Sequence, residues 1–185
     1  TIHGYIWRDE GCASPRGIIQ VAHGMAEHIE RYDDFARFLA SKGFIVGGYD
    51  HLAHGESVSQ STSWGELDPR NGANHLIEDV HRMRSYMLAH TPAGLPYFVF
   101  GHSMGSYIMR DYIARHGDGL AGAILCGTGY VAPIVSKAGN MLSRAIAAIR
   151  GKGYESKLLD SMAAGGFNRV IDDPRTEADW ISANE

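Results

Sequence analysis

The strongest chemical signal in the sequence is Gly101-His102-Ser103-Met104-Gly105, which follows the apolar run Tyr97–Phe100 and opens the amphipathic stretch Met104–His116. A serine on a sharp strand-to-helix turn is held in a strained backbone conformation, with its hydroxyl projected above the carboxyl end of a sheet. Side chains at 101 and 105 would collide with the neighbouring strand and helix, which is why both are glycine. The helix that follows presents its N-terminal dipole and the Met104 N–H to a developing oxyanion. The chemistry this suits is attack by Ser103 on an acyl carbonyl. A tight turn that happens to contain serine is the plain alternative, and the strand before and helix after it argue against that.

Two further loops stand at strand ends. His23-Gly24-Met25-Ala26-Glu27-His28 follows the apolar run Gly17–Ala22. It is the candidate source of a second oxyanion donor, assigned to the Met25 N–H, with Gly24 in support and His23 as a brace of the loop rather than a catalytic base. Tyr49-Asp50-His51-Leu52-Ala53-His54-Gly55-Glu56-Ser57 follows the next apolar run. Its histidine pair lacks a cysteine partner or a helical His-Glu-x-x-His context, so the reading is a hydrogen-bonded support loop, with Asp50 holding backbone amides and no metal. No cofactor is expected either.

These loops need a scaffold, and the chain alternates short apolar runs with helical patterns, as parallel strands joined by crossover helices do. Strands are expected at Gly17–Ala22, Phe44–Tyr49, Tyr97–Phe100 and Ala121–Cys126, the last as a buried strand. Helices are expected at Ile29–Ser41, with Phe35, Phe38 and Leu39 on one face and Gly43 as its stop, at His75–His90, with Leu76, Val80, Met83 and Met87 inward, and at Met104–His116. The result is an open, doubly wound α/β sheet over residues 1–127. Residues 128–185 change character: a long amphipathic helix at Val131–Ile149, expected to pack rather than to anchor in a membrane, then a short helix near Ser156–Ala164 and a polar tail.

Composition limits the alternatives. The chain has 185 residues, 44% hydrophobic and 21% charged, enough for a folded core and unlike a disordered or fibrous protein. A net charge of −4 with no basic stripe excludes nucleic acid as an expected partner. Cys12 in a turn and Cys126 in an apolar run suggest no disulfide framework and favour a reducing, cytoplasmic setting. No apolar stretch reaches the roughly 18 residues that cross a bilayer, and the start TIHGYIWRDEG lacks a signal-peptide pattern, although an opening Thr1 leaves a removed leader open.

HGMAEH, YDHLAHGES and GHSMGS, in this order and at these strand ends, resemble the monoacylglycerol lipase and lysophospholipase branch of the α/β-hydrolase family. So do the long run EHIERYDDFARFLASKGFIVGGYDHLAHGES and the tail FNRVIDDPRTEADWISANE, similar to that branch's cap region. The resemblance implies hydrolysis of small acyl esters through an acyl-enzyme on Ser103, Met25 and Met104 amides as the oxyanion hole, and an apolar cap from about residue 130 with transient lipid or micelle contact. It also implies a triad whose acid and base follow the serine in sequence. Here His116 is the only later histidine, one helix downstream, and Asp160, Asp172, Asp173 and Asp179 fall in the cap-like segment. The expectation is that residues 1–185 alone are inactive or nearly so, with the final strands, Asp and His supplied from beyond Glu185 in the same or a separate chain. Acyltransfer, peptidase or thioesterase chemistry on the same fold, and a non-catalytic acyl-ligand or partner-binding fragment, are the alternatives.

Overall fold

The computed structural model describes residues 1–59, 64–151 and 153–163. Its elements run β1 (Gly4–Trp7), β2 (Gly17–Ala22), α1 (Asp33–Ser41), β3 (Phe44–Tyr49), α2 (Gly72–His90), β4 (Tyr97–His102), α3 (Met104–His116), β5 (Leu120–Cys126), α4 (Pro133–Arg150) and α5 (Lys157–Ala163). The strands form one sheet in the order β1-β3-β2-β4-β5. β2, β3, β4 and β5 are parallel, and β1 joins β3 antiparallel. The four-residue β1 is too short to show a period in sequence and was not expected there.

Alternation along the strands sends side chains to two cores. Ile18, Ala22, Ile45, Tyr97 and Val99 meet Leu76, Val80 and Met87 of α2 and Ile108, Met109 and Tyr112 of α3. Ile19, Val21 and Val46 meet Ala36 and Ala40 of α1 on the other face, with Phe98 and Phe100 packed alongside. Helices therefore cover both faces, as parallel sheets require. A glutamine in the middle of β2 is tolerated because both ends of its amide are bonded: Gln20 Nε2 donates to the Val80 carbonyl at 3.0 Å and Tyr97 Oη donates to Gln20 Oε1 at 2.7 Å.

Three expectations need correction. The span 29–41 is not one helix: Ile29–Tyr32 is a short 3-10 turn and α1 starts at Asp33. Of the face Phe35, Phe38 and Leu39, only Leu39 packs on the core; the buried residues of α1 are Ala36 and Ala40, because small residues let the helix lie close to the sheet. Gly43 does end it, in the left-handed region at φ 86°. The third correction is β5. The sequence predicts a buried strand at Ala121–Cys126, yet β5 is the sheet's edge, Ile124 is 52% exposed and Cys126 is exposed. Ile124 pairs with Phe100 and shares its face.

The chain divides into two compact units, Thr1–Gly129 and Tyr130–Glu185. In the second, α4 begins with Pro133 at its first turn and spaces Ile134, Ala138, Met141, Ala145 and Ile149 along one side. It carries Lys137, Arg144 and Arg150 and no acidic residue. None of its residues is buried. The polar tail, with Asp172, Asp173 and Asp179, lies outside the described residues. Among the described residues no helix is long and apolar enough to cross a membrane.

Candidate active site

β4 ends at His102 and α3 begins at Met104, which leaves Ser103 alone on the turn with φ 49° and ψ −117°. A non-glycine residue in that region is strained, at about 1–3 kcal/mol, and persists only where its surroundings impose it. The surroundings do so on both sides. A Cβ at Gly101 would stand 2.8 Å from Ser106 Cα, at the start of α3. One at Gly105 would overlap the Ala22 carbonyl oxygen and stand 2.6 Å from that of His23, at the end of β2. The two glycines thus permit the close packing of strand, turn and helix, and Ser103 N donates to the Cys126 carbonyl at 2.9 Å, tying the turn to the end of β5.

The loop after β2 lies against this turn: a Cβ at Gly24 would be 3.2 Å from Ser103 Cβ and 3.3 Å from His102 Nδ1. Neither the Met25 N–H nor the Met104 N–H finds an acceptor among the described residues. The Ser103 hydroxyl likewise has no hydrogen-bond partner among them. Met25 itself is 64% exposed.

His23 orients that backbone. The His51 N–H donates to His23 Nε2 at 2.9 Å, so the ring proton is on Nδ1, which donates to the Gly24 carbonyl at 2.7 Å. The peptide is planar and trans, so fixing the Gly24 carbonyl toward His23 turns the Met25 N–H to the opposite side. Burial pushes the His23 pKa down to about 4, and the neutral ring can go on accepting from His51. His51 returns the contact through Nε2 to the His23 carbonyl at 3.0 Å, and burial with the neighbouring His23 holds it well below the ordinary range. His54 Nδ1 meets the Leu52 carbonyl at 3.1 Å. These rings are braces, and no group of three metal-ligating side chains occurs among the described residues.

Asp50 anchors the second loop as its position at a strand end suggested: its carboxylate accepts from Ile29 N at 2.8 Å and Glu56 N at 2.9 Å. Glu27 was missed. Its Oε1 accepts from the Gly24 N–H, from Tyr32 Oη at 2.9 Å and from His102 Nδ1 at 3.0 Å. Burial pushes the Glu27 carboxyl up, and the bonds from His102, Gly24 and Tyr32 outweigh it, so its pKa lies below the usual value. The available signal was the spacing of three from Gly24, the reach of an acid in a capping box. His116 is stacked on His81 with ring centroids 4.4 Å apart, at the far end of α3. Its backbone is about 18 Å along the helix from Met104, so it cannot serve the serine. Asp160 lies in α5, in the second unit.

Residues 13–184 match the family described as Serine aminopeptidase, S33. A monoglyceride lipase of Homo sapiens is 31% identical over 125 residues, which are 64% of this chain and 36% of the relative. A monoacylglycerol lipase of Mycolicibacterium smegmatis is 31% identical over 122 residues, 66% of this chain and 40% of the relative. A thermostable carboxyl esterase from Bacillus coagulans, solved in complex with glycerol, superposes with a TM-score of 0.84 at 38% identity, covering 99% of this chain and 57% of that one. The chain spans 36–40% of the length of these two lipases.

Proposed function

Since this chain belongs to the α/β-hydrolase family, matched as Serine aminopeptidase, S33, in its monoglyceride-lipase-like branch, we propose that it carries the nucleophile half of a carboxylic ester hydrolase. Ser103 attacks the ester carbonyl and forms an acyl-enzyme, and the alcohol leaves. Met25 and Met104 N–H bind the oxyanion, and water releases the acid. One observation carries this reading: a strained serine between β4 and α3, at φ 49°, beside two main-chain N–H groups with no acceptor of their own.

A serine hydroxyl needs a proton acceptor to be an effective nucleophile. The triad Asp and His come from sequence beyond residue 185, in the same or a separate chain, on strands that continue the sheet past β5. The unbonded Ser103 hydroxyl and the exposed apolar face of β5 support this arrangement. The substrate is a monoacylglycerol, lysophospholipid or simpler acyl ester. The basic, acid-free amphipathic α4 supports transient contact with a lipid or micelle surface, and the free Cys12 and Cys126 a reducing, cytoplasmic setting.

The test is a fluorophosphonate probe on the intact protein, with residues 1–185 alone and Ser103→Ala beside it. Labelling of the intact wild type, with none of the variant and under about 1% of the rate in residues 1–185, is expected from loss of the base. Intact protein that resists the probe would end the ester-hydrolase reading. Glycerol esters, thioesters and proline amides offered to one preparation then distinguish esterase, thioesterase and peptidase chemistry.

A further inference from the structure

The Glu27 side chain is 6% exposed and the residue belongs to no element of the sheet, yet one of its oxygens meets three separate parts of the chain. The Gly24 N–H comes from the loop after β2, the Tyr32 hydroxyl from the turn before α1, and His102 Nδ1 from the residue before the nucleophile. Arg31 Nε stands 3.7 Å from its other oxygen. We propose that Glu27 is the positioning residue that sets the second oxyanion donor against the serine turn, by bonding the Gly24 N–H and His102 with the same carboxylate oxygen.

The geometry gives the loop two clamps. Glu27 takes the N–H of the peptide before Gly24, and His23 takes the carbonyl of the peptide after it. The Gly24 amide is therefore withdrawn from any oxyanion, and the Met25 amide next to it is left unbonded. His102 closes the link on the other side, because it is the strand residue whose backbone leads into Ser103. A shift of the loop relative to β4 would have to break a bond to a buried, ionised carboxylate, and such bonds are about twice as strong as neutral ones. A Cβ at Gly24 would come 2.6 Å from Glu27 Oε1, so the glycine admits the carboxylate at this place.

The catalytic consequence rests on the ester-hydrolase reading, and the placement does not. In the intact protein, Glu27→Ala is expected to lower kcat and the fluorophosphonate labelling rate about 100-fold, the scale of one lost oxyanion donor, with KM little changed. Glu27→Gln keeps an oxygen acceptor at the same reach and is expected to recover to within about tenfold of wild type, the difference between a charged and a neutral bond. Amide hydrogen exchange reads the placement without any turnover: Gly24 is protected in wild type and Glu27→Gln and exchanges freely in Glu27→Ala. Equal Gly24 protection in wild type and Glu27→Ala, or a Gln variant as slow as the Ala variant, would overturn the proposal. If wild type neither labels nor turns over ester, the hydrolase reading fails, and the exchange result alone decides whether Glu27 holds the loop.

Discussion

Two loops leave neighbouring parallel strands, residues 23–28 after β2 and residues 50–57 after β3, and each is organised around a buried carboxylate that accepts backbone amides. Their partners differ. Asp50 bonds Ile29 N and Glu56 N, and the residues around it are scaffold: Ile29 is fully buried and Gly55 wraps the carboxylate at φ 46°. Glu27 bonds groups at the rim of the site, among them a His102 side chain 41% exposed. The same chemical device thus serves the fold in one loop and the placement of a reactive turn in the other. Each carboxylate has one buried backbone donor, Ile29 or Gly24, so the two roles are separated by the elements that the remaining donors belong to.

The largest stability effect should fall on the scaffold side. Asp50→Ala leaves two amides unpaired, one of them deeply buried, and is expected to cost about 3–5 kcal/mol by urea denaturation. Glu27→Ala leaves the buried Gly24 amide unpaired, but its other donors, Tyr32 and His102, are half-buried and can turn to water, so it is expected to cost less. Equal losses would erase the distinction between the loops.

Acid should act on the brace between them. His23 is held neutral, with its pKa lowered to about 4, whereas the unfolded chain takes up a proton near 6.5. Its contribution is therefore complete above pH 6.5 and is lost as pH falls toward 4, amounting to about 3 kcal/mol over that range. His51 is lowered for the same cause and adds in the same direction. Denaturation midpoints between pH 7 and pH 4.5 should fall steeply in wild type and less in His23→Gln. A parallel decline in the two would remove His23 as the source.

The smallest contrast is between two apolar strand residues in residues 1–185. Val99 in β4 is fully buried, and Val99→Ala is expected to cost about 2 kcal/mol. Ile124 in β5 is 52% exposed, and Ile124→Ser is expected to stay within about 0.5 kcal/mol. A large loss at Ile124 would mean that its face is covered after all.

That last pair also shows what sequence could reveal. YFVF and AGAILC read alike, because an apolar run reports that a strand suits burial and not whether neighbours are present to bury it. The serine turn was legible because its demands are local: two glycines at fixed offsets, a strand before and a helix after. Asp50 was legible for the same reason, standing at a strand end before a loop that needed its amides held. Glu27 was not, since its partner His102 is 75 residues away in sequence and only the fold makes them neighbours. The alanine face of α1 was misread because Phe35 and Phe38 are the more hydrophobic residues, whereas closeness to the sheet selects the small ones.

The backbone at Ser103 carries a final implication. A residue without a side chain would sit at that bend at ease, so Ser103→Gly should melt higher than wild type, by an amount corresponding to about 1 kcal/mol. Reactivity and durability are set against each other at a single position.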